Sequence, residues 1–410
     1  MSRTVWIINQ YASMSPNSAG SRHHNFAKRL AQRGYHVTLI SASFSHLNPD
    51  AADLPVHDVD DNNQVRYLTI KVPRYRSSTS IKRVFNWFYF ALKILFLSPK
   101  RNDLKKPDII YYSSLSLVGA LSAERLATRY AARLVFEVRD IWPLTMIELG
   151  GFPVWHPLVR LLQYIEDRAY RRSKVIFSNL QNLPQHLIER GAEINKFHWI
   201  PNGVDETFMS TAPLLPNEVC ELIPKNKFIV GYAGSVGRSN ALGTLIDAAT
   251  ILQGQPVAFV IAGDGDYLGD LKAQCSAYGL DNIVFLGRLP KEQIPSLISF
   301  FDACYLGWAD HRIYRMGVGA NKIPEYLISG KPIIHGYSGA MDPVTTYGAG
   351  VTVPAENPTL LAQAITELSV LPRSVIDEMA MNGIFAARKY YTFDAIVENI
   401  DLVFSDLLSK

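Results

Sequence analysis

The chain has 410 residues, 48% of them hydrophobic and 19% charged, with a formal net charge of +4. That length exceeds one ordinary core and predicts two domains, and the composition excludes a disordered chain. So mild a charge, with no basic stripe carrying reading residues, gives no reason to expect nucleic acid. Cys220, Cys275 and Cys304 show no CxxC or CxxH spacing, so neither a zinc site nor a disulfide framework is indicated.

The start, MSRTVWIINQYA, reads as a strand: its apolar run is too short for a signal peptide and no small-residue cleavage site follows. Further apolar runs follow in HVTLISAS, VRYLTIKV, DIIYYSS, RLVFEVRD and KVIFSN, with amphipathic stretches between most of them. In RHHNFAKRLAQRG, Phe26, Leu30 and Ala31 fall near helical spacing, and Arg33-Gly34 supply a basic last turn and a left-handed stop. Near-continuous apolar strands alternating with helices predict a parallel sheet covered on both faces.

One segment departs from that pattern. IKRVFNWFYFALKILFLSPKR, residues 81–101, is densely aromatic and aliphatic, is interrupted by Lys93, and falls short of the roughly 20 apolar residues that a membrane span needs. Arg74, Arg76, Lys82, Arg83, Lys100, Arg101, Lys105 and Lys106 crowd it, with Asp103 the only acid among them. Basic and aromatic residues together predict an interfacial helix on an anionic leaflet, with Arg83, Trp87 and Phe88 in contact; the alternative is a buried packing helix with a solvated basic flank.

After a softer, proline-bearing stretch from Pro201 to Asn226 that reads as a linker, the alternation restarts with KFIVGYAGS, VAFVIAGDG, NIVFLGRL, ACYLGW, PIIHGY and GVTVP. The expected architecture is therefore α/β, with two doubly wound parallel-sheet domains facing a cleft. Their expected bounds are 1–205 and 206–388, with a final amphipathic helix at 389–410 expected to cross back to the first domain. Ligands of such sheets gather at the carboxyl ends of the strands.

Five strand-to-helix junctions lie at such ends. Gly20 opens a helix flanked by Arg22 and His23, an anion site or a plain turn. Glu137, Arg139 and Asp140 close the strand of VFEVRD and so face the ligand crevice. In YAGSVGRSN, Arg238 offers a guanidinium able to grip a diphosphate. Asp264 and Asp266 in AGDGD invite a metal reading, but tight turns favour Gly and Asp for backbone reasons, and no metal is expected. Finally, in GVGANKIPEYL, Gly317, Gly319 and Ala320 let backbone approach a ligand, Lys322 enters at the helix start, and Glu325 lies one turn in on nearly the same face.

With IPNGVD, AGDGD, VFLGRLP and EYLISGKPII in that order, nearly the whole chain resembles the family-four retaining glycosyltransferases of GT-B architecture. EVRDIWP and YRMGVGANKIPEYL resemble the bacterial branch that builds O-antigen or capsule repeats, including N-acetylfucosamine transferases. The resemblance implies that Glu325 holds the donor ribose, that Gly319, Ala320 and Asn321 cradle the diphosphate, that Gly20 and Ser235 adjoin the donor phosphates, and that Arg288 lies near the base. It implies Lys322 and Arg238 as the basic pair on the leaving diphosphate, and Asp140 and Arg139 as acceptor-side groups, Asp140 orienting the acceptor or acting as base and Arg139 binding acceptor phosphate.

Three departures from the family pattern stand out. Gly317 occupies the place, eight positions before Glu325, where relatives often carry a second glutamate; Ser235 and Asn240 occupy the places of the usual arginine and lysine; and Arg139 replaces a frequent histidine. The resemblance further implies a cofactor-free, metal-independent transfer of a sugar, N-acetylated or deoxy, from a nucleotide donor, UDP favoured. The implied acceptor is a lipid-linked, polyprenyl diphosphate sugar at the cytoplasmic face of the inner membrane. A nucleotide-sugar 2-epimerase and a non-catalytic sugar or lipid binder are the rival readings.

Overall fold

The computed structural model describes residues 3–13, 20–45, 57–59, 65–75 and 80–409. Arg76 of the basic cluster lies outside the described residues. The chain divides into two compact units, one comprising Met1–Pro201 with Phe393–Lys410 and the other Asn202–Thr392.

The first unit is built on an eight-stranded sheet. Its strands are β1 (Arg3–Ile8), β2 (Tyr35–Ala42), β3 (His57–Val59), β4 (Val65–Ile70), β5 (Ile109–Ser114), β6 (Arg133–Val138), β7 (Val175–Ser178) and β8 (Phe197–Trp199), in the order β3-β4-β2-β1-β5-β6-β7-β8. Seven run parallel and the edge strand β3 runs antiparallel to β4. The six runs read from the sequence are all strands; β3 and β8, three residues each, are too short to leave a periodic signal.

One face of this sheet carries the helix Arg22–Gln32 and the C-terminal helix Phe393–Ser409. Phe26 and Leu30 from the former and Ile396, Ile400 and Phe404 from the latter share one buried cluster with Val5, Tyr111 and Phe177 of the strands. The ring of Phe404 stacks on Phe177 at 6.1 Å and meets Tyr111 edge-on at 6.3 Å. The last helix is thus part of the first core, and it begins at Phe393; residues 389–392, expected with it, stay with the second unit.

The second unit holds six parallel strands: β9 (Phe228–Ala233), β10 (Val257–Ala262), β11 (Ile283–Gly287), β12 (Ala303–Gly307), β13 (Ile333–Gly336) and β14 (Gly350–Val353), in the order β11-β10-β9-β12-β13-β14. Val230, Tyr232, Phe259, Ile261, Tyr305 and Ile334 form the centre of its core, covered by helices such as Leu242–Ile251 and Pro358–Ser369. The stretch expected as a linker instead belongs to this unit. Asp205 caps the short helix Glu206–Ser210 by accepting from the amides of Thr207 and Phe208, and Val204 pairs with Thr392. Capping, rather than apolar periodicity, orders this segment, which is why it showed no period.

Because Phe404 is fully buried among aromatic rings, Phe404→Ala should cost about 3–5 kcal/mol. Urea unfolding of the variant measures this; a loss under about 1 kcal/mol would contradict the packing.

Candidate active site

In the second sheet the strand order reverses between β9 and β12, and the loops leaving those two strands meet at their carboxyl ends. The loop after β9 is locked to the loop after β10: Gly234 N–H donates to Ala262 O at 2.9 Å and Val236 N–H to Asp264 O at 3.0 Å. The fit leaves no room for side chains, since a Cβ on Gly263 would overlap the Gly234 carbonyl. AGDGD therefore serves a backbone junction. Asp264 accepts from its neighbouring Gly265 amide, and no group of three or more potential metal ligands converges among the described residues.

The helix Lys322–Ile328 follows β12. Tyr326, fully buried, accepts from Ala233 N–H at 3.0 Å and pins this helix to the end of β9. The anchored helix sends the Lys322 side chain across Gly234, whose φ is +155° and whose missing Cβ would collide with Lys322 Cε. Beyond that gap, Lys322 Nζ donates to Asn240 Oδ1 at 3.3 Å and lies 4.9 Å from the centre of the Tyr232 ring. Tyr232 and Asn240 are themselves fixed, both donating to the Ser235 carbonyl, at 2.5 and 3.1 Å.

No carboxylate forms an ion pair with Lys322 among the described residues. Burial lowers its pKa to about 8, with Glu325 pulling the other way. Burial raises the Glu325 carboxyl, opposed by Lys291 and then Lys322. The ammonium is half-buried and balanced only by an amide oxygen and a ring face, an arrangement chemically suited to an anion. The helix has only seven residues, so its dipole is short and Lys322 carries most of the positive character.

Three further residues that the sequence placed on the donor side are located as follows. Gly319 is held by the buried Asn202, whose Nδ2 donates to its carbonyl at 2.6 Å; the IPNGVD motif thus positions the loop that contains Gly319, Ala320 and Asn321. Arg288 is exposed just past β11, where Gly287 O accepts from Gly263 N–H at 2.7 Å. Arg238 does not turn toward Lys322. Its side chain, 74% exposed, pairs with Asp270 at 2.6 Å and lies 4.4 Å over the Tyr267 ring, so the expected basic pair is reduced in this structure to Lys322 alone. Lys291 was missed in the sequence, because only the fold brings it to this point; Tyr232 and Asn202 lay inside the quoted YAGS and IPNGVD stretches, and Asn240 stood only as the replacement of a lysine, without the contacts that the fold gives them.

In the first unit, the carboxyl end of β6 gathers the second set. Glu137 is wholly buried and accepts from Arg22 Nη2 at 2.7 Å and from His23 Nε2 at 2.8 Å. Burial would raise Glu137, but Arg22 and then His23 hold its carboxyl well below the usual range. Burial lowers His23 against the pull of Glu137, so Arg22 supplies the charge while His23 is neutral with its proton on Nε2. Arg22 also donates to the carbonyls of Ile200 and Pro201. Arg22 and His23, expected to flank an acceptor, are thus committed to the interior. Gly20 lies directly before their helix, its carbonyl accepting from Ser13 N–H at 3.2 Å.

Arg139, half-buried, has a sealed Nε with no hydrogen-bond partner, while Arg22 and His23 hold Glu137. Burial lowers its pKa. Asp140 is exposed at the strand end; desolvation raises it and Arg139 and Arg83 oppose this, but water screens so open a carboxylate. Arg83 Nε donates to Tyr11 Oη at 3.3 Å, and its guanidinium lies 5.4 Å from the Trp87 ring centre. Trp87 itself is buried, donating to Tyr11 Oη at 2.8 Å and meeting Trp142 edge-on at 5.6 Å. The expectation that Trp87 faces outward is corrected: its indole fills the core side of the helix Ile81–Leu95, and Phe88 is on the outside.

With a folded-state pKa of about 8 against 10.5 for an ordinary lysine, Lys322 releases its proton first in the folded chain, so its contribution makes stability rise with pH across that interval. NMR of selectively labelled lysine side chains should show a midpoint near pH 8. Glu325→Gln should move that midpoint lower, since the carboxylate favours the ammonium; an unchanged or raised midpoint would contradict the arrangement.

Two family models match, Glycosyltransferase Family 4 over residues 19–208 and Glycosyl transferases group 1 over residues 218–389. The 2-deoxystreptamine N-acetyl-D-glucosaminyltransferase of Streptomyces fradiae is 23% identical over 82% of this chain and 79% of that one. WcaI of Escherichia coli (strain K12), a glycosyl transferase provisionally assigned to colanic acid biosynthesis, is 26% identical over 56% of this chain; the match spans only 58% of WcaI's own length. The crystal structure of Anabaena Alr3699/HepE in complex with UDP and glucose superposes with a TM-score of 0.68 over 98% of this chain and 100% of that one, at 15% identity, a likeness of fold. The two models together span every strand of the two sheets except β1, and the chain belongs to the group 1 glycosyl transferases of the family 4 type, built on the GT-B fold.

Proposed function

We propose that the protein transfers a sugar from a nucleotide diphosphate sugar, a UDP-sugar being favoured, to a lipid-linked saccharide acceptor in the assembly of a bacterial surface polysaccharide, with retention at the anomeric carbon. The observation that carries this reading is Lys322, a half-desolvated cation threaded over Gly234 with no carboxylate in an ion pair with it among the described residues. UDP and glucose in the HepE structure support a nucleotide-sugar donor, and WcaI supports a polysaccharide context. Both halves of the chain match transferase models, which weighs against the epimerase and the non-catalytic binder.

In this reading Glu325 holds the ribose, the amides of Gly319, Ala320 and Asn321 meet the diphosphate, and Arg288 lies by the base. The bond from the anomeric carbon to the diphosphate oxygen breaks while the acceptor oxygen bonds to the same face of that carbon. The acceptor proton passes to the departing diphosphate, and the charge gathering there is met by Lys322. Asp140 orients the acceptor hydroxyl, and Arg139, whose Nε has no hydrogen-bond partner among the described residues, meets acceptor phosphate. Gly317, in place of a second glutamate, leaves the donor sugar hydroxyls without that carboxylate, which suits an N-acetylated or deoxy sugar.

Lys322→Ala should lower turnover of the accepted UDP-sugar by on the order of a hundredfold or more, the usual loss when a preorganised charge on a leaving group is removed. UDP release is the assay, with circular dichroism to establish folding. A folded variant within about threefold of the parent would refute the assignment.

A further inference from the structure

The described surface of the first unit has a second feature that the donor site does not use. Of its fourteen exposed large hydrophobic residues, eleven fall in two segments, residues 85–96 and 149–164. On the helix Ile81–Leu95, Phe85, Phe88 and Leu92 recur at spacings of three and four residues, a stripe opposite the buried Trp87, Phe90 and Ile94. The other segment is the turn before the helix Pro157–Arg172, where Phe152, Val154 and Trp155 project, Trp155 being 73% exposed.

These two segments belong to one layer. The helix Ile81–Leu95 packs on the helix Gly119–Tyr130, with Ser122 Oγ donating to Ala91 O at 2.7 Å; that middle helix is tied to the helix Pro157–Arg172 by Arg168 and Glu124 at 2.7 Å. The edge-on contact of Trp87 with Trp142 brings the first helix against the chain leading into the Phe152–Trp155 turn.

We infer that this three-helix layer docks on an anionic lipid surface, with the Phe152–Trp155 turn and the Phe85–Leu92 stripe as two anchors set in the interface. The inference rests on the reading of a lipid-linked acceptor and extends it to a surface and a partner. Charge selects the occupant: all seven exposed charged side chains on the three helices are Lys or Arg, while Glu124 and Asp167 are partly buried and paired with arginines. A second copy of the same face would set those cations against one another, whereas an anionic leaflet attracts them. Lys93 Nζ lies 5.3 Å from the Tyr89 ring centre, beside the apolar stripe, the placement of a cation that reaches up to headgroups while its stem stays dry. No helix among the described residues is long and apolar enough to cross a membrane, so contact of this kind is interfacial.

Flotation of the full chain with vesicles tests this. The protein should float with phosphatidylethanolamine–phosphatidylglycerol vesicles, less so at high salt, and poorly with phosphatidylcholine. Trp155→Ser combined with Phe85→Ser should lower the bound fraction about tenfold, as should Lys93→Glu with Arg160→Glu, with melting temperatures unchanged. Failure to float, equal binding to phosphatidylcholine, or undiminished binding by either double variant would overturn the inference. So would sedimentation showing that the substitutions dissolve a dimer instead. Release of UDP from UDP-sugars with soluble alkyl glycosides as acceptors is followed in parallel: turnover without flotation removes the docking surface but not the transferase, and flotation without turnover does the reverse.

Discussion

The second unit depends on one demanding placement, a lysine ammonium brought through the space of a missing side chain to a spot where no carboxylate among the described residues forms an ion pair with it. Moving a cation out of water is costly unless something answers its charge. Here the Asn240 amide oxygen and the Tyr232 ring face answer it in part, and its pKa falls to about 8. Such partial compensation is poor design for stability. It is good design for a site whose ligand brings a dense negative charge, because the cation is already aimed and partly stripped of water when the ligand arrives.

The surrounding fold exists in large part to hold that aim. Tyr326 ties the helix that carries Lys322 to the end of β9; the loops after β9, β10 and β11 are laced by backbone hydrogen bonds; and Asn202 secures Gly319 from the far side of the sequence. Each of these places backbone at the point where the strand order reverses, where a doubly wound sheet opens a crevice. The first unit uses a different device. There Arg22 neutralises the buried Glu137 and the neutral His23 donates a hydrogen bond to it, while Arg139 Nε, just past the same strand, has no hydrogen-bond partner.

Much of the architecture was legible in the residues. Twelve of the fourteen strands announce themselves as apolar runs, and the restart of the pattern locates the second sheet. The short strands β3 and β8 and the capped stretch after Pro201 were not, because hydrogen bonding rather than apolar period orders them. At the site, residue type found Lys322 and Glu325 but could not see direction. Arg238 and Lys322 are both basic residues beside glycine-rich turns, yet Asp270 and Tyr267 draw one outward while Gly234 admits the other. The same blindness set Trp87 on the wrong face of its helix, since an aromatic run reads alike whichever ring turns inward.

The measurement that bears most directly on the role of Lys322 is proton exchange on nucleotide binding. Titration of UDP into the protein at pH 8.5, in buffers of different ionisation enthalpy, reports protons taken up per molecule bound. If the diphosphate lands on Lys322, its charge raises the lysine pKa from about 8, so UDP binding draws in a proton and Lys322→Ala abolishes that uptake. Binding without proton uptake, or uptake that survives in Lys322→Ala, would contradict the account.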